Sequence, residues 1–222
     1  MSYPLLYGQQ FFPLTEVESG QRLHPQAAAA FLQMQQAAAA EGIQLSLYSS
    51  YRSFNTQLTI WNEKWSGQRA IMDDNNRPIA IHSLTEIQKL KAILRWSALP
   101  GASRHHWGTD IDIYSLPLIE GRFELCPATY QPGGMLYPLW QWLSTHAQQF
   151  HFFFPYCRDL GGTHPEPWHL SYAPLAQKFK SEHQLTSLTT LLEQSEIKGK
   201  NTVLKHLSDI YHDYFIQICE PL

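Results

Sequence analysis

Four residues of types that bind or activate metal ions occur in two short segments of the sequence. His105 lies seven residues before Asp112, and Gly108 between them allows the chain to turn, so that a loop residue and a strand residue can converge on one ion. Glu166 and His169 lie three residues apart far downstream. Imidazole nitrogens and carboxylate oxygens are zinc ligands, and hydrolytic zinc sites combine three of them with an open position for water. The pattern therefore predicts a hydrolytic metal centre.

The surroundings of His105 strengthen this prediction. A single histidine among the 11 of the chain is more often a surface or structural residue than a ligand. Here, however, His106 follows directly, and Asp110 and Asp112 lie on the same face of a predicted strand. Such a cluster costs free energy unless it is solvated or binds a cation. Three alternative ligands stay open: His82, His106 and His164.

Strands are needed to hold these residues at fixed distances. The segment TDIDIY alternates polar and apolar residues, which predicts a strand with Asp110 and Asp112 on one face and Ile111 on the other. Similar short patterns bounded by turn formers predict the rest of a sheet. The predicted strands cover residues 43–49, 109–114, 151–156 and 168–173.

Helix-forming segments separate these strands. Residues 26–41 are strong helix formers and are followed by Gly42, a residue type that commonly ends helices. Ser83 and Glu86 have the spacing of a capping box, which predicts a helix that starts there and ends before Pro100. Further helices are predicted over residues 54–65 and 136–150, with a polar loop, a candidate lid, over residues 66–83.

The carboxy-terminal segment has a different pattern. From residue 176 onwards the sequence is helical in character, and its last helix repeats apolar residues at helical spacing. An exposed stripe of that length would be a liability, so we expect it to pack on the rest of the chain or on a second copy. We therefore predict a domain over residues 1–175 and a helical extension over residues 176–222. The stripe includes Leu204, Leu207, Tyr211 and Phe215.

Composition excludes some classes of function. The net charge of -3 and the pI of about 6.4 provide no basic surface for phosphates, which argues against a nucleic-acid partner. The hydrophobic share of 44% is that of a globular protein. No stretch approaches the roughly 18 apolar residues of a membrane span. These features leave the oligomeric state undetermined.

The cysteines and the amino-terminal segment bear on the compartment. Cys126, Cys157 and Cys219 are odd in number and widely spaced, which predicts buried thiols rather than disulfides or a cysteine zinc site. The start, MSYPLLYGQQFFPL, has no early Lys or Arg and no uninterrupted apolar region of the kind found in signal peptides. A cytoplasmic location is expected if Met1 is the native start, and a periplasmic or extracellular one if a signal has been removed.

Two motifs carry a resemblance to a known family. Residues 103–112, SRHHWGTDID, resemble the SxHxxGxAxD signature of the zinc D-alanyl-D-alanine carboxypeptidases typified by VanY, which act on peptidoglycan. Residues 166–169, EPWH, match the second motif of that family, ExxH. The segment YRS at 51–53, with Gln57, resembles a third. The resemblance covers roughly residues 25–175.

This resemblance implies a fold and a metal site. The fold is expected to be α+β, with a central antiparallel sheet flanked by helices as in the zinc D-Ala-D-Ala peptidases (a hedgehog-like fold), here with a helical tail. The implied cofactor is zinc. Its implied ligands are His105, Asp112 and His169, and Glu166 is the implied base that accepts a proton from water.

Roles in substrate binding are implied in the same way. Arg52 is expected to stabilise the developing oxyanion or to bind a substrate carboxylate. Ser103 and Gln57 are expected to bind substrate, although Ser103 could equally shape the turn before His105. Asp110 stands where the family signature has Ala, and we expect it to hydrogen-bond a ligand histidine rather than to bind the metal.

The function implied by the resemblance is removal of a terminal D-amino acid, D-Ala, from peptidoglycan stem peptides or muropeptides. One alternative is an endopeptidase of the same family that cuts inside the stem, as endolysins do. Another is a non-catalytic module that binds metal or peptide. Glu166 argues against the non-catalytic alternative, because loss of that carboxylate would be the sequence sign of an inactive enzyme.

Overall fold

The structure is a computed structural model that describes residues 3–9, 13–18, 20–121 and 123–221. Residues 1–2 and 10–12 of the amino-terminal segment considered for a signal lie outside the described residues. Within the described ranges, no helix is both long and apolar enough to cross a bilayer.

Helices and short strands alternate along the chain and form an α+β fold. The strands are β1 (Thr15–Glu18), β2 (Gln21–Leu23), β3 (Ser46–Ser49), β4 (Asp110–Tyr114), β5 (Phe152–Phe153) and β6 (His169–Tyr172). The α-helices are α1 (Tyr3–Leu6), α2 (Pro25–Ala40), α3 (Phe54–Trp65), α4 (Glu86–Leu94), α5 (Tyr137–His146), α6 (Ala173–Glu182), α7 (Leu185–Gln194), α8 (Lys200–Lys205) and α9 (Leu207–Ile210). A π-helical turn, Tyr211–Ile216, follows α9.

The sheet that carries the candidate site has four strands in the order β3-β4-β6-β5, all antiparallel. β1 and β2 form a separate hairpin. The α+β class and the central antiparallel sheet predicted from the sequence are confirmed. Strand β5 is shorter than the predicted strand over 151–156, since only two of its residues pair with β6. Pro155 cannot donate a backbone hydrogen bond to a ladder, so the strand cannot continue through it.

The start of α4 differs from the prediction. Ser83 lies in a 3₁₀ turn, and its hydroxyl donates to the carbonyl of Ala80. The capping box is formed by Thr85, whose side chain accepts from the backbone N–H of Gln88, while the Gln88 side chain accepts from the backbone N–H of Thr85. Two capping signals therefore lie close together, and the helix uses the second.

Two hydrophobic clusters pack on different parts of this scaffold. One lies under the sheet and includes residues of α2, β4, α5 and β6. The other joins α3 and α4 to the carboxy-terminal helices, and Leu207 and Phe215 are buried in it while Leu204 and Tyr211 pack against it. The apolar stripe of the tail thus packs on the same chain. A division of the chain between residues 175 and 176 stays a prediction.

The cysteines correct a sequence-based prediction. Cys157 and Cys219 form a disulfide with a Cα–Cα distance of 6.1 Å, and only Cys126 is a free, buried thiol. The bonded pair is separated by 62 residues, so no local spacing indicates it. The backbone N–H of Cys219 also donates to the carbonyl of Pro155. The end of the tail is therefore attached to the segment that precedes Glu166.

We expect reduction of this disulfide to lower the free energy of unfolding by up to about 4 kcal/mol, because the bond closes a long loop in the unfolded chain. Urea unfolding with and without a thiol reductant measures the difference. The Cys219→Ser variant is the control, since reductant should not change its midpoint, and Cys126→Ala should respond as the wild type does. If the urea midpoint of the wild type is the same with and without reductant, the expectation is contradicted.

Candidate metal centre

Cross-strand pairing brings two of the predicted residues together. In the antiparallel β4–β6 ladder, Asp112 lies opposite His169 and Asp110 lies opposite Ser171. Residues that face each other across an antiparallel pair have their Cβ atoms about 5 Å apart. The register of two short strands therefore places the Asp112 carboxylate beside the His169 imidazole.

A tight turn places His105 next to them. Residues Arg104–Trp107 form one 3₁₀ turn, which ends at Gly108 with φ +66°. A Cβ at this glycine would lie 2.8 Å from the backbone nitrogen of His24, so both the backbone angle and the close approach require glycine. The turn reverses the chain before β4 and directs His105 back toward Asp112.

Each histidine of the cluster is oriented through one ring nitrogen. Nδ1 of His105 lies 2.8 Å from the carbonyl oxygen of Ser50, which makes Nδ1 the protonated donor and leaves Nε2 facing the site. His169 is held in the opposite sense, since its Nε2 lies 3.0 Å from Oδ1 of Asp110 and its Nδ1 lies 3.0 Å from Oδ1 of Asp112. Such hydrogen bonds fix the tautomer and the direction of a ligand imidazole.

These contacts bring three ligand atoms into one cluster. One atom each of His105, Asp112 and His169 lies within 4.8 Å of the others, and all three residues are buried. Glu166 lies at the edge, with Oε2 3.4 Å from Nδ1 of His169. Among the described residues, this is the group that could hold a metal ion. His82 and His164 are not part of it.

Neighbouring charges shift the pKa values of the buried groups in this cluster. Burial alone would lower the pKa of His169, but the adjacent carboxylates of Asp110 and Asp112 raise it to about 9. Burial also opposes ionisation of Asp112, yet the adjacent imidazoles of His105 and His169 hold its pKa well below the usual range. For Glu166 burial prevails over the nearby His169 charge and raises the pKa to about 7.

Asp110 is the centre of a fully buried network. Its Oδ1 accepts from Nε of Arg104 at 2.8 Å as well as from His169, and its Oδ2 accepts from the hydroxyls of Thr109 and Ser171 at 2.7 and 3.0 Å. Nη2 of Arg104 donates to Ser171 at 2.6 Å. Burial alone would raise the pKa of Asp110, but the Arg104 charge together with His169 and the Thr109 hydrogen bond keeps it below its usual range. Asp110 therefore positions His169 and lies outside the ligand cluster.

Arg52 lies beside the cluster and is held from several sides. Its Nε donates to Ser49, its Nη1 to Oε1 of Gln57, and its Nη2 to Oδ2 of Asp112 at 3.1 Å. Nη2 also lies 3.2 Å from Nε2 of His105. A metal ion bound by His105 and Asp112 would compete with Nη2 of Arg52 for these two residues.

The site opens into a cavity of about 470 Å³. Arg52, Ser103 and Glu166 line it together with the three candidate ligands. Gln57 does not line it: its side chain is fully buried, Nε2 donates to the carbonyl of Ala98, and Oε1 accepts from Arg52. Gln57 is thus placed to orient Arg52, whereas contact with substrate stays a prediction that this position does not favour.

His106 is also occupied elsewhere. Its Nδ1 lies 2.7 Å from the carbonyl of Arg52, and its Nε2 accepts from the backbone N–H of Gly101. Burial lowers its pKa to about 3. A neutral histidine with both nitrogens bonded to backbone is a structural residue.

Lys64 and Tyr156 are among the residues that line the cavity and that sequence reasoning missed. Lys64 follows Gln57 by seven residues on α3, which is two helical turns along the same face, so helical periodicity could have found it. Tyr156 lies against His169, with ring centroids 4.9 Å apart, and its carbonyl accepts from the backbone N–H of Glu166. Its position depends on the path of the chain after β5, which no motif indicates.

Two features of His105, Asp112 and His169 fit a zinc ion: the types of their donor atoms, and a buried carboxylate oxygen of Asp112 that has no hydrogen-bond partner. Two imidazoles and one carboxylate are ligands that zinc accepts in open catalytic sites. Oδ1 of Asp112 is buried and forms no hydrogen bond, although Nδ1 of His169 is 3.0 Å away. Because Nε2 of His169 faces Asp110, a neutral His169 presents a second acceptor at Nδ1. Two buried acceptors at this distance require a proton or a metal ion between them.

The fold is that of the class of zinc D-Ala-D-Ala peptidases. A sequence model of one family in this class, VanY, described as D-alanyl-D-alanine carboxypeptidase, matches residues 20–175. The chain therefore belongs to the VanY family of D-alanyl-D-alanine carboxypeptidases.

Individual relatives match this chain at modest sequence identity. The D-alanyl-D-alanine carboxypeptidase of Enterococcus faecalis is 25% identical over 174 residues, which are 77% of this chain and 56% of that protein. The chain thus spans little more than half the length of that relative. An uncharacterized protein of Haemophilus influenzae is 31% identical over 122 residues, which are 53% of this chain and 93% of that protein.

Solved structures share the fold. The vancomycin-resistance D,D-pentapeptidase VanY of a VanB-type cassette, in complex with Zn(II), superposes with a TM-score of 0.56 at 24% identity and covers 77% of this chain and 84% of its own. The LdcB LD-carboxypeptidase superposes with a TM-score of 0.52 at 25% identity and covers 75% of this chain and 67% of its own.

Proposed function

We propose that this protein is a zinc-dependent carboxypeptidase that removes the terminal D-amino acid from peptidoglycan stem peptides. The observation that carries the proposal is the cluster of ligand atoms of His105, Asp112 and His169, with Glu166 beside it, at one end of a cavity. Membership of the VanY family supports the substrate class.

The chain's own residues divide the chemistry between them. Zinc, when bound by His105, Asp112 and His169, supplies a water of lowered pKa and polarises the scissile carbonyl. Glu166 accepts the proton of the attacking water on a carboxylate oxygen and then donates it to the leaving amine. Arg52 donates hydrogen bonds to the carbonyl oxygen as negative charge develops on it.

The disulfide supports an oxidising compartment for this activity. Disulfides persist in the periplasm and outside the cell and are rare in the reducing cytosol. The Cys157–Cys219 bond is therefore consistent with work at the cell wall, where stem peptides are found. Of the locations open on sequence grounds, we propose the periplasmic or extracellular one.

The experiment that tests the function is incubation of the zinc-loaded protein with defined tetrapeptide and pentapeptide muropeptides, followed by mass spectrometry. Loss of one terminal residue is the expected result. Cleavage inside the stem would identify an endopeptidase instead, and absence of any cleavage while zinc is bound would support a non-catalytic module.

Zinc content tests the ligands separately. We expect about one zinc per chain in the purified wild type and a large loss of zinc in His105→Ala, Asp112→Ala and His169→Ala, because three protein ligands form one open site. Elemental analysis after dialysis against a weak chelator measures this. His106→Gln is the control for a buried histidine next to the site. Zinc that is undiminished in all three ligand variants would refute the assignment.

A further inference from the structure

Lys64 is a cationic side chain of the cavity that the proposed mechanism does not use. It lies in the last turn of α3 and lines the same cavity as Arg52, Glu166 and the ligand cluster. Its Nζ donates a hydrogen bond of 2.6 Å to the hydroxyl of Ser97. An ammonium group has three N–H donors, so two remain for another acceptor.

The other cations of the cavity already have anionic partners. Arg52 pairs with Asp112 at 3.1 Å, Arg104 with Asp110 at 2.8 Å, and Arg69 with Glu63 at 2.9 Å. For Lys64, no carboxylate of the described residues lies within the 4.0 Å that defines an ion pair. Lys64 thus lacks the partner that a partly buried ammonium usually has.

Burial shifts the pKa of the Lys64 ammonium toward neutral pH. Burial and the neighbouring charge of Arg69 lower its pKa to about 8, and the carboxylate of Glu166 opposes the shift. Lys64 therefore places a partly buried ammonium in the cavity that Glu166 also lines.

We propose that Lys64, positioned by Ser97, binds the terminal carboxylate of the substrate peptide and so makes the enzyme specific for the last peptide bond. This inference rests on the proposed carboxypeptidase function and assigns a residue to its specificity. In a peptide cut at its last bond, the carboxylate belongs to the leaving residue and lies about 3.5 Å along the chain from the scissile bond. Lys64 lines the same cavity as the ligand cluster and is the lining cation without a carboxylate partner among the described residues.

The remaining candidates for this contact are less suited. Arg52 is the proposed donor to the scissile carbonyl oxygen, and its Nε and Nη1 are held by Ser49 and Gln57. Arg69 is half exposed and paired with Glu63, so water screens its charge. Gln57 lies behind Arg52 and does not reach the cavity.

The test compares Lys64 variants on two forms of one peptide, with a free terminal carboxylate and with a terminal amide. Lys64→Met keeps much of the side-chain length and removes the charge, Lys64→Arg keeps a cation, and Lys91→Met on the exposed face of α4 is the matched control. Hydrogen bonds to a charged group contribute about 1.5–3 kcal/mol, which corresponds to a roughly 10- to 100-fold change.

On the free acid we expect Lys64→Met to lower kcat/KM by about 10- to 100-fold, mainly through KM, and Lys64→Arg to recover part of the loss. On the amide peptide, kcat/KM of Lys64→Met should be nearly equal to that of the wild type. Zinc content and melting temperature, measured on each preparation, separate this effect from loss of the site or of the fold. Equal losses on acid and amide would overturn the proposal.

Binding measurements keep the proposal separate from the proposed function. Calorimetry with the uncleaved acid and amide peptides, on zinc-loaded Glu166→Gln and on the double variant with Lys64→Met, needs no turnover. Weaker binding of the acid alone in the double variant supports the role of Lys64 even if the wild type cleaves nothing. If instead amidation of a side-chain carboxylate within the stem removes the effect of Lys64→Met, the terminal assignment is wrong.

Discussion

Glu166→Gln is expected to reduce turnover by about 10² to 10⁴ while the protein keeps its metal. Glutamine preserves the size of the side chain and one hydrogen-bond acceptor, but it cannot accept a proton from water. The Glu166 carboxylate lies at the edge of the ligand cluster, 3.4 Å from His169, so its loss should leave the three ligand atoms in place. The change thus separates proton transfer from metal binding.

The decisive measurement is zinc content and muropeptide turnover on the same Glu166→Gln preparation. Glu193→Gln, at an exposed position of α7, is the matched control, and its zinc content and turnover should equal those of the wild type. Turnover close to the wild-type rate would remove Glu166 from the mechanism. Joint loss of zinc and activity would make Glu166 a ligand rather than a base.

Asp110→Ala is expected to lower the free energy of unfolding by about 3–5 kcal/mol. The substitution removes one partner of a fully buried ion pair and leaves the Arg104 guanidinium without compensation, which is among the most costly changes in a protein interior. It also removes the acceptor that holds Nε2 of His169. We therefore expect weaker zinc binding as a second effect, of the order of 10- to 100-fold.

Urea unfolding and zinc titration measure the two effects. The double variant Asp110→Ala with Arg104→Met should recover much of the stability, because removing both charges leaves neither one buried alone, but it should not recover zinc affinity. Asp74→Ala, which removes an exposed carboxylate from Arg95, is the control and should cost no more than about 1 kcal/mol. A fully stable Asp110→Ala would show that Arg104 finds another partner.

Substitution by Ala at this position restores the residue of the family signature. The alternation of β4 correctly predicted that Asp110 faces the same way as Asp112. It could not show that Arg104, within the preceding turn, folds back onto Asp110. That contact depends on the turn at Gly108 and on the pairing of β4 with β6.

The sequence by itself determined the fold class, the main helices and the types of residue in the candidate site. Alternating and helical patterns are local signals, and α3 begins and ends where they predict, at Phe54 and Trp65. The motif around His105 and the EPWH segment indicated the members of the ligand cluster, because spacing and residue type are properties of the chain. The roles of these residues stay predictions until the variants are measured.

The tertiary structure alone decided which residues meet across long separations in the chain. The disulfide joins Cys157 to Cys219, the Ser97 hydroxyl meets Lys64, and Gln57 lies behind Arg52 instead of in the cavity. None of these contacts leaves a periodic or motif-like trace, since each arises from how packed elements approach one another. Burial then raises the pKa of Glu166 and makes the Arg104–Asp110 pair costly to break.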